Sequence, residues 1–327
     1  MPFIKKDNKT MKLTILDGHC LNPGDLSWKA IKSLTDDFSV FERTPAELVA
    51  ERIGNSEMIL LNKVCITSEI LEKCPNLKYI GVLATGFNVI DLQACRSRGI
   101  TVTNIPSYST DAVAQHVFAF ILNFANSVQS HCDSVMAGDW IKAPDFCYWK
   151  NPLTELAGKT LGIFGFGHIG QKTAQIGHAF GMNVIVHVHS EKSFTGGEKT
   201  VSVEEIFAQS DFLTFHTPLT KETEKIINKK NLSLMKKTAI IINTARGGLV
   251  DEADMREALL SKTIAGYGTD VLLKEPMDKS CPLFKIPGCV ITPHIAWAPK
   301  ETRSRLMEIA AANIKAFLAG TPQNVVN

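Results

Sequence analysis

No apolar run in this 327-residue chain approaches the 18 residues that a membrane-spanning helix needs. The first ten residues, MPFIKKDNKT, lack the apolar core of a signal peptide and read as a loose extension before a first strand that starts after Met11. Charge of one sign is scarce as well. Against 35 Lys and Arg stand 33 Asp and Glu, and a net charge of +2 gives no basic field for a nucleic-acid backbone. The eight cysteines include no pair at C-x-x-C spacing, which argues against a zinc site or a disulfide framework and for reduced thiols. A soluble, cytoplasmic protein is expected, with no metal and no nucleic-acid or membrane partner. One further absence is local. The stretch NVIVHVHS (residues 183–190) reads as a buried strand running into a polar loop, about 20 residues past a glycine-rich turn, where a nucleotide-binding fold places an acid to hold a ribose. No acid ends this strand.

What the chain does have is a hydrophobic content of 45%, enough for well-filled cores, and a length comfortable for two domains. Short β-branched runs alternate with helical segments, the pattern of α/β structure with parallel sheets. The first third holds strand candidates at 13–16, 39–42, 58–61, 78–83 and 101–104, with capped helical periodicity over 45–53 and 67–73. Five such strands predict a small doubly wound domain. A long helix is predicted over 111–137, with capping hydroxyls from Ser109 and Thr110 and an apolar face of Val113, Val117, Phe120, Ile121 and Phe124. The aromatic and proline-rich stretch GDWIKAPDFCYWKNP (138–152) reads as irregular. A second series follows, with strands near 161–164, 184–188, 212–216, 239–243, 264–270 and 290–292, and six strands complete a dinucleotide-binding sheet. The amphipathic stretch 300–318 ends at Gly320 with no strand after it to wind onto, so it is expected to return to the first domain.

The motif TLGIFGFGHIG sets Gly165-x-Gly167-x-x-Gly170 between an apolar strand and a helix. Gly165 permits a tight turn, Gly167 lets a pyrophosphate approach the backbone, and Gly170 lets the helix pack on the strand. The helix start offers free N–H groups and a positive dipole end. As a bare pattern the motif is weak; between strand and helix, with a matching strand after it, it predicts a bound dinucleotide. Downstream, three strands each end in a reactive side chain: Arg246 in AIIINTARGGLVDE, Glu275 in YGTDVLLKEP and His294 in VITPHIAWAP. Singly each has an ordinary reading, as a solvated Arg, a loop Glu before Pro and a hydrogen-bonded structural His. Their joint occurrence at strand ends, where open α/β sheets bind ligands, points to chemistry. Hydride transfer to a 2-keto acid fits. Arg246 can grip a carboxylate and the neighbouring carbonyl oxygen, and His294 can protonate that oxygen or take its proton back. Glu275, if it touches the imidazole, favours the charged ring and fixes its tautomer.

With GIFGFGHIG, NTARGGLVDE, DVLLKEP and PHIAWA in this order, the chain resembles the D-isomer-specific 2-hydroxyacid dehydrogenases over nearly its whole length, including ATGFNVIDLQACRSRGITVTN and STDAVAQHVFAFIL. The resemblance implies a Rossmann-type dinucleotide-binding domain over 109–297 and a flavodoxin-like substrate domain over 1–108 and 298–327, with the active site in the cleft between them. It implies Arg246, Glu275 and His294 as the catalytic set and His294 as the acid/base. Backbone groups of Ala84, Thr85 and Gly86 would help Arg246 hold the carboxylate. The helix from Asp111 and its aromatic loop would form a two-fold interface with a second chain. Within the family, FCYW (146–149) and PHIAWA are most like the glycerate dehydrogenase (hydroxypyruvate reductase) branch. Trp149 and Trp297 either shape a pocket for a small hydroxylated acid or pack on a core or a partner.

Aligned on GMNVIVHVHS, the family's ribose-binding acid falls at Val188. Valine neither accepts the ribose hydroxyls nor repels a 2′-phosphate, and His189, Ser190 and Lys192 can donate to phosphate oxygens. Glu191 stands among them, ready to serve as the ribose acid instead, and no arginine is nearby. The cofactor is therefore NAD or NADP, with NADP expected to be accepted. Further contacts with it are expected from His168 and Ile169, from Thr217 and Pro218, and from Thr244 and Ala245. Asp270 is expected to accept from the nicotinamide carboxamide, with a turn cap as the alternative. Two other functions share these features: a regulatory protein that senses a dinucleotide, and a dehydrogenase for another small anion such as formate or phosphite.

Overall fold

The computed structural model describes residues 11–189, 196 and 198–327, and the chain divides into two compact units, Met1–Tyr108 with Ala298–Asn327, and Ser109–Trp297. In the first unit β1 (Leu13–Ile15), β2 (Phe38–Val40), β3 (Met58–Leu61), β4 (Tyr79–Val82) and β5 (Thr101–Thr103) form one parallel sheet in the order β2-β1-β3-β4-β5. This is the flavodoxin-like order. β1, β3 and β4 are buried along their whole length, as parallel strands covered by helices on both faces must be. Side-chain caps start two of the helices: Thr67 accepts from the amide of Ile70, and Asp91 from that of Ala94. The helix Lys300–Leu318 packs on this unit, where the Phe317 ring lies tilted against the buried Tyr79 ring, with centroids 4.8 Å apart. The last residues run beside β5, with the amide of Val326 donating to the carbonyl of Val102.

In the second unit β6 (Thr160–Phe164), β7 (Asn183–His187), β8 (Lys199–Thr200), β9 (Phe212–Phe215), β10 (Ile240–Asn243), β11 (Gly266–Thr269) and β12 (Cys289–Ile291) form a parallel sheet in the order β12-β11-β10-β9-β6-β7-β8. Counted from β6, this is the doubly wound dinucleotide order with one strand added, and the strand order reverses between β6 and β9. Six strands are expected from the sequence; the seventh, Lys199–Thr200, has only two exposed polar residues and no apolar run to announce it. β7 ends at His187, so Val188 lies beyond the strand rather than in it. Apolar clusters fill both faces of the sheet.

The single helix expected over 111–137 is two helices, Thr110–Asn126 and Val128–Met136. Ser127 between them takes a left-handed conformation, φ 47°. The carbonyl of Ala125, which a continuous helix would bond within itself, accepts from the amide of Thr154 instead. Ser109 precedes the first helix without a side-chain cap bond, contrary to its expected role. Gly266 and Gly268 let Phe124 and Phe120 of that helix lie against β11, where a Cβ would come within 2.6 and 2.9 Å of their rings. Among the described residues no helix is long and apolar enough to cross a membrane.

Candidate active site

The register of the second sheet gathers the site. His187, Phe164, Phe215, Asn243, Thr269 and Ile291 are successive partners across six parallel strands, so they form one row at the carboxyl edge. Arg246 stands three residues beyond this row on β10, His294 three residues beyond it on β12, and Glu275 on the loop leaving β11 between them. Two strand spacings, about 10 Å, separate β10 from β12.

His294 Nδ1 lies 2.6 Å from Glu275 Oε2, and Glu275 Oε1 accepts from the amide of Leu272 at 2.9 Å. The carboxylate thus holds the Nδ1 proton and leaves Nε2 as the atom for proton exchange, with no described residue bonded to it. His294 has φ 55°, a left-handed conformation costing about 1–2 kcal/mol in a residue with a Cβ. The loop around it compensates. Asp270, only 1% exposed, accepts the amides of Ile295 and Ala296, each at 2.8 Å, and the hydroxyl of Thr292 at 2.6 Å. The turn-cap role of Asp270 is therefore present in the fold, and any contact with a nicotinamide would come in addition to it.

The Arg246 turn is braced from below. Asn243, fully buried, accepts the amide of Ala245 and donates to the carbonyl of Arg246. The guanidinium is exposed, and its hydrogen bond within the chain goes to the Ala245 carbonyl, which leaves its outer donors open to an anion. Gly247 is closed in: a Cβ there would stand 2.0 Å from the carbonyl carbon of Leu272, so the Arg246 turn and the Glu275 loop pack backbone to backbone.

The residues of the second unit fit a dinucleotide. Gly165 has φ 92° and abuts the carbonyl of His216, 2.6 Å from where a Cβ would be. A Cβ on Gly170 would stand 2.4 Å from the Gly165 carbonyl, so that glycine brings the helix His168–Ala179 onto the strand. Gly167 is different: among the described residues, its chain neighbours apart, nothing lies within 4 Å of the place its Cβ would take. The space it keeps clear is outside the fold, over the helix start where His168, Ile169 and Gly170 present their amides. Thr244 Oγ1 is buried with no hydrogen-bond partner among the described residues, and a bound ligand can satisfy it. Thr217 and Pro218 follow β9 at the strand-order reversal. His216 before them bonds Thr214 Oγ1 at 3.1 Å, and burial pushes its pKa down to about 3, so it is neutral.

Val188 is half-buried and His189 exposed, while Ser190, Glu191 and Lys192 lie outside the described residues. Glu222, on the loop after Pro218, has its carboxyl held low, first by Thr220 and to a smaller degree by His189. Trp297 is half-buried at the end of this unit. In the first unit, Ala84, Thr85 and Gly86 follow β4. Their two carbonyls at 84 and 85 accept from Ile105 and Asn104, whereas their amides bond no described residue. Asn243, Gly247 and Thr292 are not singled out by the sequence reading; ARGG and TPH contain or adjoin them, but their partners are distant in the chain.

Residues 118–296 match the family model for the NAD binding domain of the D-isomer specific 2-hydroxyacid dehydrogenases. The chain belongs to that family. It is 44% identical over 322 residues to a hydroxypyruvate reductase of Blautia hydrogenotrophica, covering 97% of this chain and 100% of that protein. It is 41% identical over 285 residues to a glycerate dehydrogenase of Methylorubrum extorquens, covering 86% and 89%. Among solved structures it resembles an acyclic imino acid reductase in complex with NADPH and D-Arg, with a TM-score of 0.86, 33% identity and coverage of 97% and 100%. The chain is an NAD(P)-dependent oxidoreductase of 2-hydroxy acids.

Proposed function

We propose that this enzyme interconverts hydroxypyruvate and D-glycerate, with Arg246, Glu275 and His294 as its reacting and orienting side chains. The observation that carries the roles is the His294–Glu275 pair at 2.6 Å on the edge from which the exposed Arg246 also emerges. Arg246 binds the substrate carboxylate and its neighbouring carbonyl oxygen. A reduced nicotinamide bound by the unit Ser109–Trp297 would supply the hydride for the carbonyl carbon. His294 Nε2 gives its proton to the carbonyl oxygen, and Glu275 stabilises the imidazolium that must exist before that transfer. In the oxidative direction the neutral Nε2 accepts the hydroxyl proton. The unit Ser109–Trp297 holds the dinucleotide.

The choice of substrate is supported by the hydroxypyruvate reductase and glycerate dehydrogenase relatives and by Trp297, whose polar tip suits a hydroxylated acid. Initial rates with hydroxypyruvate, glyoxylate, pyruvate and a branched keto acid decide it. Hydroxypyruvate should lead in kcat/KM, and equal rates with pyruvate would remove the assignment. NADP is accepted because Val188 offers no charge against a 2′-phosphate and His189 is open beside it; fluorescence titration with NADH and NADPH showing a hundredfold preference for NADH would end this. Val128, Met136, Trp140, Ile141, Phe146 and Trp149 are all more than half exposed, and this apolar surface supports a two-fold dimer. A monomeric mass in light scattering would refute it. The eight free cysteines, four of them exposed, support a reducing, cytoplasmic setting.

A further inference from the structure

We infer that His116 is a positioning residue for His294, acting from the helix Thr110–Asn126 through Thr292 and Asp270. The inference rests on the reading of His294 as acid/base. His116 belongs to none of the motifs that carry the chemistry, yet its Nε2 stands 3.0 Å from Thr292 Oγ1 and 3.6 Å from Asp270 Oδ1. The direction of each bond can be worked out. The Thr292 hydroxyl proton is committed to Asp270 Oδ1 at 2.6 Å, so the Thr292 oxygen can only accept from the imidazole. The proton of the neutral ring therefore sits on Nε2. Burial lowers the pKa of His116 while the Asp270 carboxylate raises it, and either protonation state keeps the Nε2 donor.

Asp270 passes this order on. Its Oδ1 also takes the amide of Ile295 and its Oδ2 that of Ala296, the two residues directly after His294. The amide of His294 itself bonds the carbonyl of Thr292 at 3.0 Å. Thus the residue before the His294 turn and the two after it are fixed to one carboxylate, and that carboxylate is aligned by a hydroxyl whose own rotation His116 stops. The imidazole of His116 is in turn held by the edge-to-face contact with Phe120 at 4.9 Å and by the close seating of this helix on Gly266 and Gly268. A polar side chain at 19% exposure, beside the apolar face of the helix, is explained by this role.

The test compares wild type with His116→Phe, which keeps a ring against Phe120 and removes the donor, and His116→Gln, which returns an N–H near the Nε2 position. Thr292→Val and the double variant with His116→Phe complete the set. Expected are a fall in kcat of about tenfold for His116→Phe with the KM for keto acid within about twofold, recovery of most of the rate in His116→Gln, and no further fall in the double variant beyond Thr292→Val. Ring signals of labelled His294, observed without cofactor, should be single in wild type and doubled or broadened in His116→Phe. The inference is overturned if His116→Phe keeps kcat within twofold of wild type, if Gln fails to rescue, or if the His116 and Thr292 effects multiply. Failure of the acid/base reading would look different: His294→Ala would keep its turnover, and unmoved His294 ring signals in His116→Phe would then sink the coupling separately.

Discussion

Nδ1 of His294 and Oε2 of Glu275 meet at 2.6 Å although one residue follows β12 and the other the loop after β11. The meeting fixes the tautomer, so the charge of Glu275 is what distinguishes it from a mere spacer. Glu275→Gln removes the charge and leaves one acceptor oxygen for two donors, the Nδ1 proton and the Leu272 amide. Its kcat should fall by on the order of 10²-fold or more, with KM nearly unchanged because Arg246 is untouched. A variant retaining half the wild-type kcat would show the carboxylate to be structural.

Gly167 and Gly170 separate ligand space from packing space. In Gly167→Ala the methyl meets no described residue beyond its chain neighbours, so Tm should be unchanged while dinucleotide Kd rises tenfold or more, about 1.4 kcal/mol. In Gly170→Ala the methyl meets the Gly165 carbonyl, a clash of the class costing about 1–3 kcal/mol, and both Tm and affinity should drop. Thermal melts with and without NADPH read both; unchanged cofactor affinity in Gly167→Ala would remove the turn from the binding site.

Thr244→Val should have opposite effects on stability and binding. The buried hydroxyl has no partner among the described residues, a state that costs about 1–3 kcal/mol, so its removal should leave Tm equal or higher. The dinucleotide that would satisfy it should bind about three- to tenfold more weakly, the worth of one hydrogen bond. Unchanged binding with a lowered Tm would mean that the hydroxyl serves the fold.

His216 predicts an acid dependence of stability. Its folded pKa of about 3 lies below the ordinary value near 6.5, so between these limits the unfolded chain binds a proton that the folded one refuses. The stability of the neutral ring is complete above pH 6.5 and is lost as pH falls toward 3. The loss is at most about 1.4 kcal/mol per pH unit, an upper limit because part of the side chain is open to water. The Tm of wild type should fall more steeply than that of His216→Gln between pH 7.5 and 5; parallel curves would rule His216 out as the source.

The sequence makes the strands legible where apolar runs are buried, as in β3, β6 and β10, and leaves β8 unread because two exposed polar residues pair only by position. The helix break at Ser127 depends on the Thr154 amide, 29 positions past the Ala125 carbonyl it bonds, and no local periodicity records it. Arg246, Glu275 and His294 are legible because each closes a strand inside a recognisable motif. Asn243, Gly247 and His116 are not, since their work is to join segments; the His116–Thr292 bond spans 176 positions.

The pairing of Val326 with Val102 has a consequence for the order in which the molecule comes into being. β5 receives this outer neighbour, and the Lys300–Leu318 helix reaches its seat, only after the entire Ser109–Trp297 unit has been synthesised. On the ribosome the nucleotide unit is thus free to fold while the first unit, its five strands already made, still lacks its last helix, and truncation anywhere after Trp297 strikes the half of the enzyme that was made first.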